Sequence, residues 1–442
     1  MKLPQPPPPF HPLFERLLPR LPKILPISGN LPDRQRRYLH WNELRFRPAP
    51  KGLSHEEWWL VEKLARQTGR RTVELNDKKG TPFSFVVPEF VAELLHQIDR
   101  DGGTLLQSVE PVTDPDERDR YVIRSLMEEA ITSSQLEGAA VTREVAKKML
   151  AEGRRPRDRG EQMIVNNFVT MRRIIELKTE PLTPELVLSI HRQISENALD
   201  KPDAAGRLRR ADETVEVADH YGTVFHLPPP AAELEKRLQA MCRFANATDG
   251  ETFIHPVLRA IILHFWLAYD HPFVDGNGRT ARALFYWQML HREYWLFEFI
   301  SISQFLRIAP VPYGEAFLHT ESDDNDLTYF IIHQAGVIRR ALIELHDYIT
   351  RKSRETRTTL KLLHESTGLN HRQESIITHA LRHPNHIYSI VAHQTLHGIA
   401  YATARADLLG LAGQKLLDQR KSGKALVFVV PVDLEKRLRE LK

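Results

Sequence analysis

Tyr269-Asp270-His271-Pro272-Phe273-Val274-Asp275-Gly276-Asn277-Gly278-Arg279-Thr280-Ala281-Arg282 is the stretch whose reading decides the rest of the chain. Apolar residues at helical spacing lead into it (Val257, Ile261, Ile262, Phe265, Trp266, Ala268) and out of it (Ala283, Leu284, Tyr286, Trp287, Met289). Its setting is therefore helix, short loop, helix. Gly276 and Gly278 lack a Cβ and open backbone conformations that other residues avoid. Consecutive amides in such a loop, ending at a helix N-terminus, converge on an anion.

The side chains fit the same chemistry. Arg279 and Arg282 stand three apart on the first turn of the new helix, where both guanidinium groups can reach that anion. Asp275 offers a hard oxygen ligand suited to magnesium carried by a polyphosphate. His271 has the ordinary pKa for proton transfer near neutral pH. Taken singly these are weak signals, because a lone histidine after a helix is commonly structural and a Gly-Asn-Gly turn is commonly only a turn. Packed into twelve residues they describe phosphate-directed catalysis: a metal-bound nucleotide, an amide cradle and a histidine base for an incoming hydroxyl.

Two further segments bear on this site. Thr214 to Pro228 alternates β-branched and polar residues around Asp219–Gly222 and reads as a hairpin in an otherwise helical region. Upstream, Ile131-Thr132-Ser133-Ser134-Gln135-Leu136-Glu137-Gly138 ends a predicted helix. Gly138 suits a left-handed cap, and Ser133 and Glu137 share a face. Alone, Glu137 would read as a solvated residue at a helix end.

His-Pro-Phe-Val-Asp-Gly-Asn-Gly-Arg-Thr-Ala-Arg, residues 271–282, resembles the full motif of the Fic (filamentation induced by cAMP) family without departure. The resemblance extends over roughly residues 120–350. It implies an enzyme that moves AMP from ATP to a Ser, Thr or Tyr hydroxyl of a target protein and releases pyrophosphate. By that resemblance His271 is the base and Asp275 binds Mg²⁺. Gly276, Asn277 and Gly278 form the anion nest, Asn277 holding the α-phosphate; Arg279 meets the β-phosphate and Arg282 the γ-phosphate. The hairpin matches the family's flap, with Thr223, Val224 and Phe225 as the edge that docks the target. Tyr313 is assigned to the adenine side. Ser-x-x-x-Glu-Gly resembles the family's inhibitory helix (about 121–138), so that Glu137 pairs with Arg282 and fills the γ-phosphate space. In some members that glutamate also supports removal of AMP, and phosphocholine or uridylyl transfer occurs on the same fold, so those reactions stay open.

Composition bounds the remainder. The chain has 442 residues, 42% apolar and 27% charged, with a single cysteine, Cys242. One cysteine excludes a disulfide framework and a cysteine-built zinc site within the chain. No apolar run reaches the ~18 residues of a membrane span, and the start lacks a secretory core, so the cytoplasm is the expected compartment. The net charge of +4 is unevenly divided. Residues 1–50 hold nine Lys/Arg against three Asp/Glu, residues 351–442 sixteen against eight, and the middle 36 against 46. Twelve of the 29 prolines fall in the first 50 residues, which reads as an extended basic arm.

The expected architecture is mainly α. A proline-rich arm (1–50) and a small α/β subdomain (51–114) lead into a Fic-type helical core with a β-hairpin flap (115–352). Residues 353–442 follow, whose order of elements resembles a winged helix-turn-helix. If this basic module binds DNA, Tyr401, Thr403 and Arg405 face the major groove and Lys421 and Lys424 the phosphates. Protein docking or homodimerisation fits the same pattern equally well. His393 and His397 have metal-compatible spacing but no third ligand, and read as structural. A DNA-binding regulator that senses nucleotide without turnover is the competing reading of the whole chain, and His271 argues against it.

Overall fold

Apolar residues cover every side of the run before the decisive loop, and such a helix has to be buried all round. In the computed structural model Pro256–Asp270 is that helix, buried throughout Val257–Leu267. The helix after the loop, Asn277–His291, is buried at every position from Arg279 to Leu290. The structure describes residues 2–28, 38–103, 115–219, 221–247, 253–366, 368–384, 386–422 and 425–440. By internal contacts the chain divides into Met1–Gln107 with Asp119–Leu345, and Ser108–Arg118 with His346–Lys442.

The first unit begins with α1 (Phe10–Leu17), α2 (Leu21–Ser28), α3 (Trp41–Leu44) and α4 (His55–Gln67), then β1 (Arg71–Asn76), β2 (Pro82–Phe85) and α5 (Glu89–Gly103). Its main body takes in α6 (Pro115–Leu136), α7 (Arg143–Glu152), α8 (Arg159–Glu176) and α9 (Pro184–Ser195). The hairpin strands β3 (Val217–Ala218) and β4 (Val224–His226) follow, then α10 (Leu234–Asn246), α11 (Pro256–Asp270) and α12 (Asn277–His291). It closes with α13 (Ser303–Ile308), α14 (Pro310–Ser322) and the start of α15 (Thr328–Ser366). Helix α12 is the hub, packed against α8, α9 and α11.

The proline-rich start departs from the extended arm expected of it. Pro12 and Pro22 lie in the first turns of α1 and α2, where no amide hydrogen bond is needed, and only Pro26 sits inside a helix. These helices bury Leu13 and Ile24 against α4. Helix α14 is likewise absent from the sequence reading; Pro310 and Pro312 occupy its first turn. The β1–β2 pair is antiparallel and is tied to the body through Ser84, whose N–H donates to Asn325 O and whose carbonyl accepts from Leu327 N.

The second unit contains α16 (His371–Arg382), β5 (Ile387–Ser389), α17 (Ile390–His397), α18 (Tyr401–Gly413), β6 (Asp418–Ser422), β7 (Ala425–Val429) and α19 (Leu434–Glu440). Its sheet is antiparallel in the order β5–β7–β6. Lys421 and Arg405 are exposed, as is Tyr401, while Thr403 is half-buried; Lys424 lies outside the described residues. Around an apolar core of Ile377, Leu408, Leu411 and Phe428 sits one buried carboxylate, Asp407. It receives Arg372 in a two-pronged pair (2.7 and 3.1 Å), Asn370 Nδ2 (2.8 Å) and His393 Nε2 (3.1 Å). His393 is thus a structural partner.

Burial pushes the Asp407 carboxyl up, but its hydrogen bonds from Arg372, Asn370 and His393 prevail and hold it down at about 2. A depressed carboxylate stabilises the fold above its ordinary pKa and loses that contribution as pH falls through the folded value. Asp407→Ala is expected to cost about 3 kcal/mol by stranding Arg372 and His393. Hydrogen exchange of the β5 and β7 amides in the full chain should then speed up ~100-fold at pH 7, and unchanged protection would refute the assignment.

Candidate active site

His271 follows α11 in the left-handed conformation (φ 44°), held by its N–H on Leu267 O. Its ring Nδ1 lies 3.2 Å from the carbonyl of Ala268. A proton on Nδ1 satisfies that carbonyl and leaves Nε2 as the acceptor of the ring. Burial lowers its pKa to about 4; Ala268 opposes the shift and nearby His226 adds to it. The ring is therefore a neutral base across the physiological range.

The loop after it is braced from within. Asn277 Oδ1 accepts from Phe273 N and its Nδ2 donates to Phe273 O, both at 2.9 Å. Its side chain is thus committed to the loop, and what Asn277 turns to an anion is its backbone amide at the start of α12. Gly276 adopts φ 81° at the cap of that helix, a conformation strained for any residue with a Cβ. The first amides of α12 have no acceptor within the helix.

Two guanidinium groups are buried beside those amides. Arg279 is fully buried, with Nη1 on Ile194 O (3.2 Å), while its Nε and Nη2 have no hydrogen-bond partner. Burial also draws its pKa below the ordinary arginine value. A buried, part-unpaired cation at a helix N-terminus suits a phosphate oxygen. Arg282 is held by α6: its Nε donates to Ser133 Oγ (2.8 Å), and its Nη2 to Ser133 O (3.0 Å) and Glu137 Oε1 (2.8 Å). A Cβ built on Gly278 would lie 2.0 Å from Glu137 Oε1. The glutamate carboxylate therefore rests on the glycine turn, in the space the amides and arginines frame for an anion.

Helix α6 is fixed in this register two turns earlier. Glu129, buried, accepts from Tyr286 Oη, Ser301 Oγ, Ser303 N and Ser303 Oγ. Gly138 ends the segment at φ 92°.

Asp275 points one oxygen at its own loop, with Gly276 N and Arg279 Nη2 (3.6 Å). The other, Oδ2, faces Arg159 Nη2 at 2.8 Å. Among the described residues no three His, Cys, Asp or Glu side chains gather as a metal cage. A single half-buried carboxylate fits magnesium that brings its remaining oxygens from a polyphosphate. Tyr313 meets His264 Nε2 at 2.9 Å through its hydroxyl. Burial raises that hydroxyl to about 12, with Arg282 opposing and Glu137 reinforcing the shift. Its polar end thus belongs to the arginine cluster.

The hairpin pairs Val217 with His226 and Ala218 with Val224. Asp219 closes its turn by accepting from Tyr221 N (3.0 Å) and Thr223 N (2.9 Å), with Gly222 at φ 81°. Thr223 is exposed, Val224 and Phe225 half-buried, and among the described residues no third strand pairs with this hairpin. His226 anchors its base through Tyr269 O (2.7 Å) and Glu321 (2.8 Å).

Three positioning residues escape sequence reading. Arg209 donates through Nε to His271 O (3.0 Å) and through Nη2 to Pro229 O, joining the histidine loop to the end of the hairpin. His191 stacks on Phe273 (3.6 Å) and bridges Gly206 N and Asp275 O. Arg159 begins α8, where a cation opposes the helix dipole; that misplacement is the one signal that could have marked it. The other two resemble ordinary helix and loop residues.

Comparison with known proteins places this segment beside one family. The Fic/DOC family profile matches residues 181–289. The protein adenylyltransferase Fic of Nematostella vectensis is 39% identical over 107 residues, covering 24% of this chain and 22% of that protein. That of Drosophila melanogaster is 35% identical over 103 residues, 23% and 19% respectively. The matches thus span about a fifth of these relatives. A Fic family protein from Desulfovibrio desulfuricans G20 shares the fold with TM-score 0.53 at 19% identity, over 78% of this chain and 97% of that one.

The buried imidazole gives a direct check. In proton NMR titrations compared with His271→Ala, the His271 ring should titrate near pH 4. A midpoint at the ordinary 6.5 would remove the desolvated setting described above.

Proposed function

We propose, for a chain whose residues 181–289 match the Fic/DOC family profile, that it is an adenylyltransferase moving AMP from ATP to Ser, Thr or Tyr hydroxyls of a target protein, and that it rests in a self-inhibited state. One observation carries this reading: an internal carboxylate, Glu137, lies over Gly278 and on Arg282 where the amide nest and two buried guanidinium groups would receive a polyphosphate.

In the reaction so read, His271 Nε2 takes the proton of the target hydroxyl. The freed oxygen attacks the α-phosphorus, forming the new P–O bond, as the bond to the bridging oxygen of the β-phosphate breaks and pyrophosphate leaves. Amides of the loop and of α12 hold the α-phosphate, Arg279 the β-phosphate and Arg282 the γ-phosphate. Asp275 would hold Mg²⁺, which when bound offsets charge building on the leaving group. Backbone pairing along Val224 and Phe225 would orient the target segment, with Thr223 at its edge. While Glu137 is on Arg282 the γ-phosphate lacks its seat, and the α-phosphate cannot line up with the incoming oxygen. We assign the protein to the cytoplasm, where ATP and a lone reduced cysteine coexist.

Glu137→Gly is expected to raise incorporation of label from α-phosphate-labelled ATP at least tenfold. Adding His271→Ala should return it to background, as loss of a general base costs roughly 10²–10⁴-fold. Equal incorporation by the parent and the Glu137 variant would overturn the self-inhibited reading.

For the basic second unit we favour DNA as the partner, in winged-helix fashion. The exposed Tyr401 and Arg405 on α18 and Lys421 on β6 support this. Duplex binding should weaken steeply between 50 and 200 mM salt and be lost in Arg405→Ala/Lys421→Ala. Absence of binding at low salt would leave docking or homodimerisation.

A further inference from the structure

The oxygen of Asp275 that faces away from its own loop is already paired with a cation. Arg159 puts Nη2 at 2.8 Å from Asp275 Oδ2 and Nη1 at 2.7 Å from Asp200 Oδ1. One guanidinium thus bridges two carboxylates that lie 75 residues apart, counting from 200 to 275. Its position is otherwise unfavourable, since Arg159 is the first residue of α8 and meets the positive end of that helix. The two carboxylates, rather than local propensity, account for a cation there.

A divalent ion held by Asp275 and the Arg159 guanidinium would draw on the same carboxylate charge, so a cation already at Oδ2 weakens the attraction for a second one. Asp200 is 85% exposed and, among the described residues, pairs with no other cation, so it can keep Arg159 after Asp275 is given up. The side chain of Arg159 is itself half-exposed, 46% by area. Resting on the nucleotide-binding reading above, we infer that Arg159 is a built-in counter-ion that competes with the divalent metal for Asp275, and that Asp200 is the berth to which it withdraws. Metal admission is then set by a charge exchange separate from the Glu137–Arg282 contact: Glu137 governs where the γ-phosphate goes, Arg159 when Asp275 is free.

The test uses the full chain carrying Glu137→Gly, saturated with α,β-methylene-ATP, with Mn²⁺ binding read from the EPR signal of the free ion. Calorimetry first establishes that the analogue binds. Arg159→Gln should tighten Mn²⁺ about three- to five-fold, the scale of one exposed ion pair. Asp200→Asn should weaken it about two-fold while Arg159 is present and have no effect in the Arg159→Gln background, because the berth matters only to its occupant. Unchanged or weaker Mn²⁺ binding in Arg159→Gln would overturn the inference. So would an Asp200→Asn effect that persists undiminished without Arg159, which would indicate through-space charge alone. Failure of the analogue to bind at all would instead overturn the nucleotide reading, and this inference with it.

Discussion

Two arginine side chains buried in α12 set the terms for the rest of the site. A guanidinium withdrawn from water is tolerated only when anions or carbonyls surround it. Arg282 meets this demand through Ser133 and Glu137, Arg279 only in part, through Ile194 O and a longer contact to Asp275. The incompletely satisfied cation is what suits the turn to an anion. The segment that ends α6 supplies one carboxylate to this buried charge, Glu137 on Arg282.

The site is built so that its parts cannot move independently. Glu129 fastens α6 to Tyr286 of α12 and to Ser301 and Ser303, which sets the height at which Glu137 arrives. Arg209 fastens the His271 carbonyl to Pro229, so the base and the end of the hairpin share one support. His191 does the same for Asp275 from below Phe273. Rigid placement of this kind is what phosphoryl transfer asks of a protein, because positioning and charge supply most of the rate. Glu137 and Arg159 are the long side chains that pair with this loop and helix from other elements, on Arg282 and on Asp275.

Much of the fold was legible beforehand. The helices flanking the loop follow from apolar residues on all faces, and the second unit follows from its sequence of helices, short strands and Gly398 turn. Prolines in the first 50 residues point to extended backbone, yet Pro12 and Pro22 each lie in a first turn where the missing N–H has no cost. Strand β1 is illegible in the sequence because four of the six residues of Arg71–Asn76 are charged or polar, and it is completed by pairing with β2.

By itself the sequence determined which groups meet in the loop, because they are neighbours: His271, Asp275, the glycines, Arg279 and Arg282 lie within one turn and one loop of each other, and local geometry brings them together. It also marked Ser133 and Glu137 as one face of a helix. Only the tertiary structure decided what that face touches and which oxygens are already taken. Glu137 reaches Gly278 across 141 positions of chain and Arg159 reaches Asp275 across 116. Such pairings are chosen by how buried helices pack and by which charges must be neutralised once water is gone, and neither condition exists until the chain has folded.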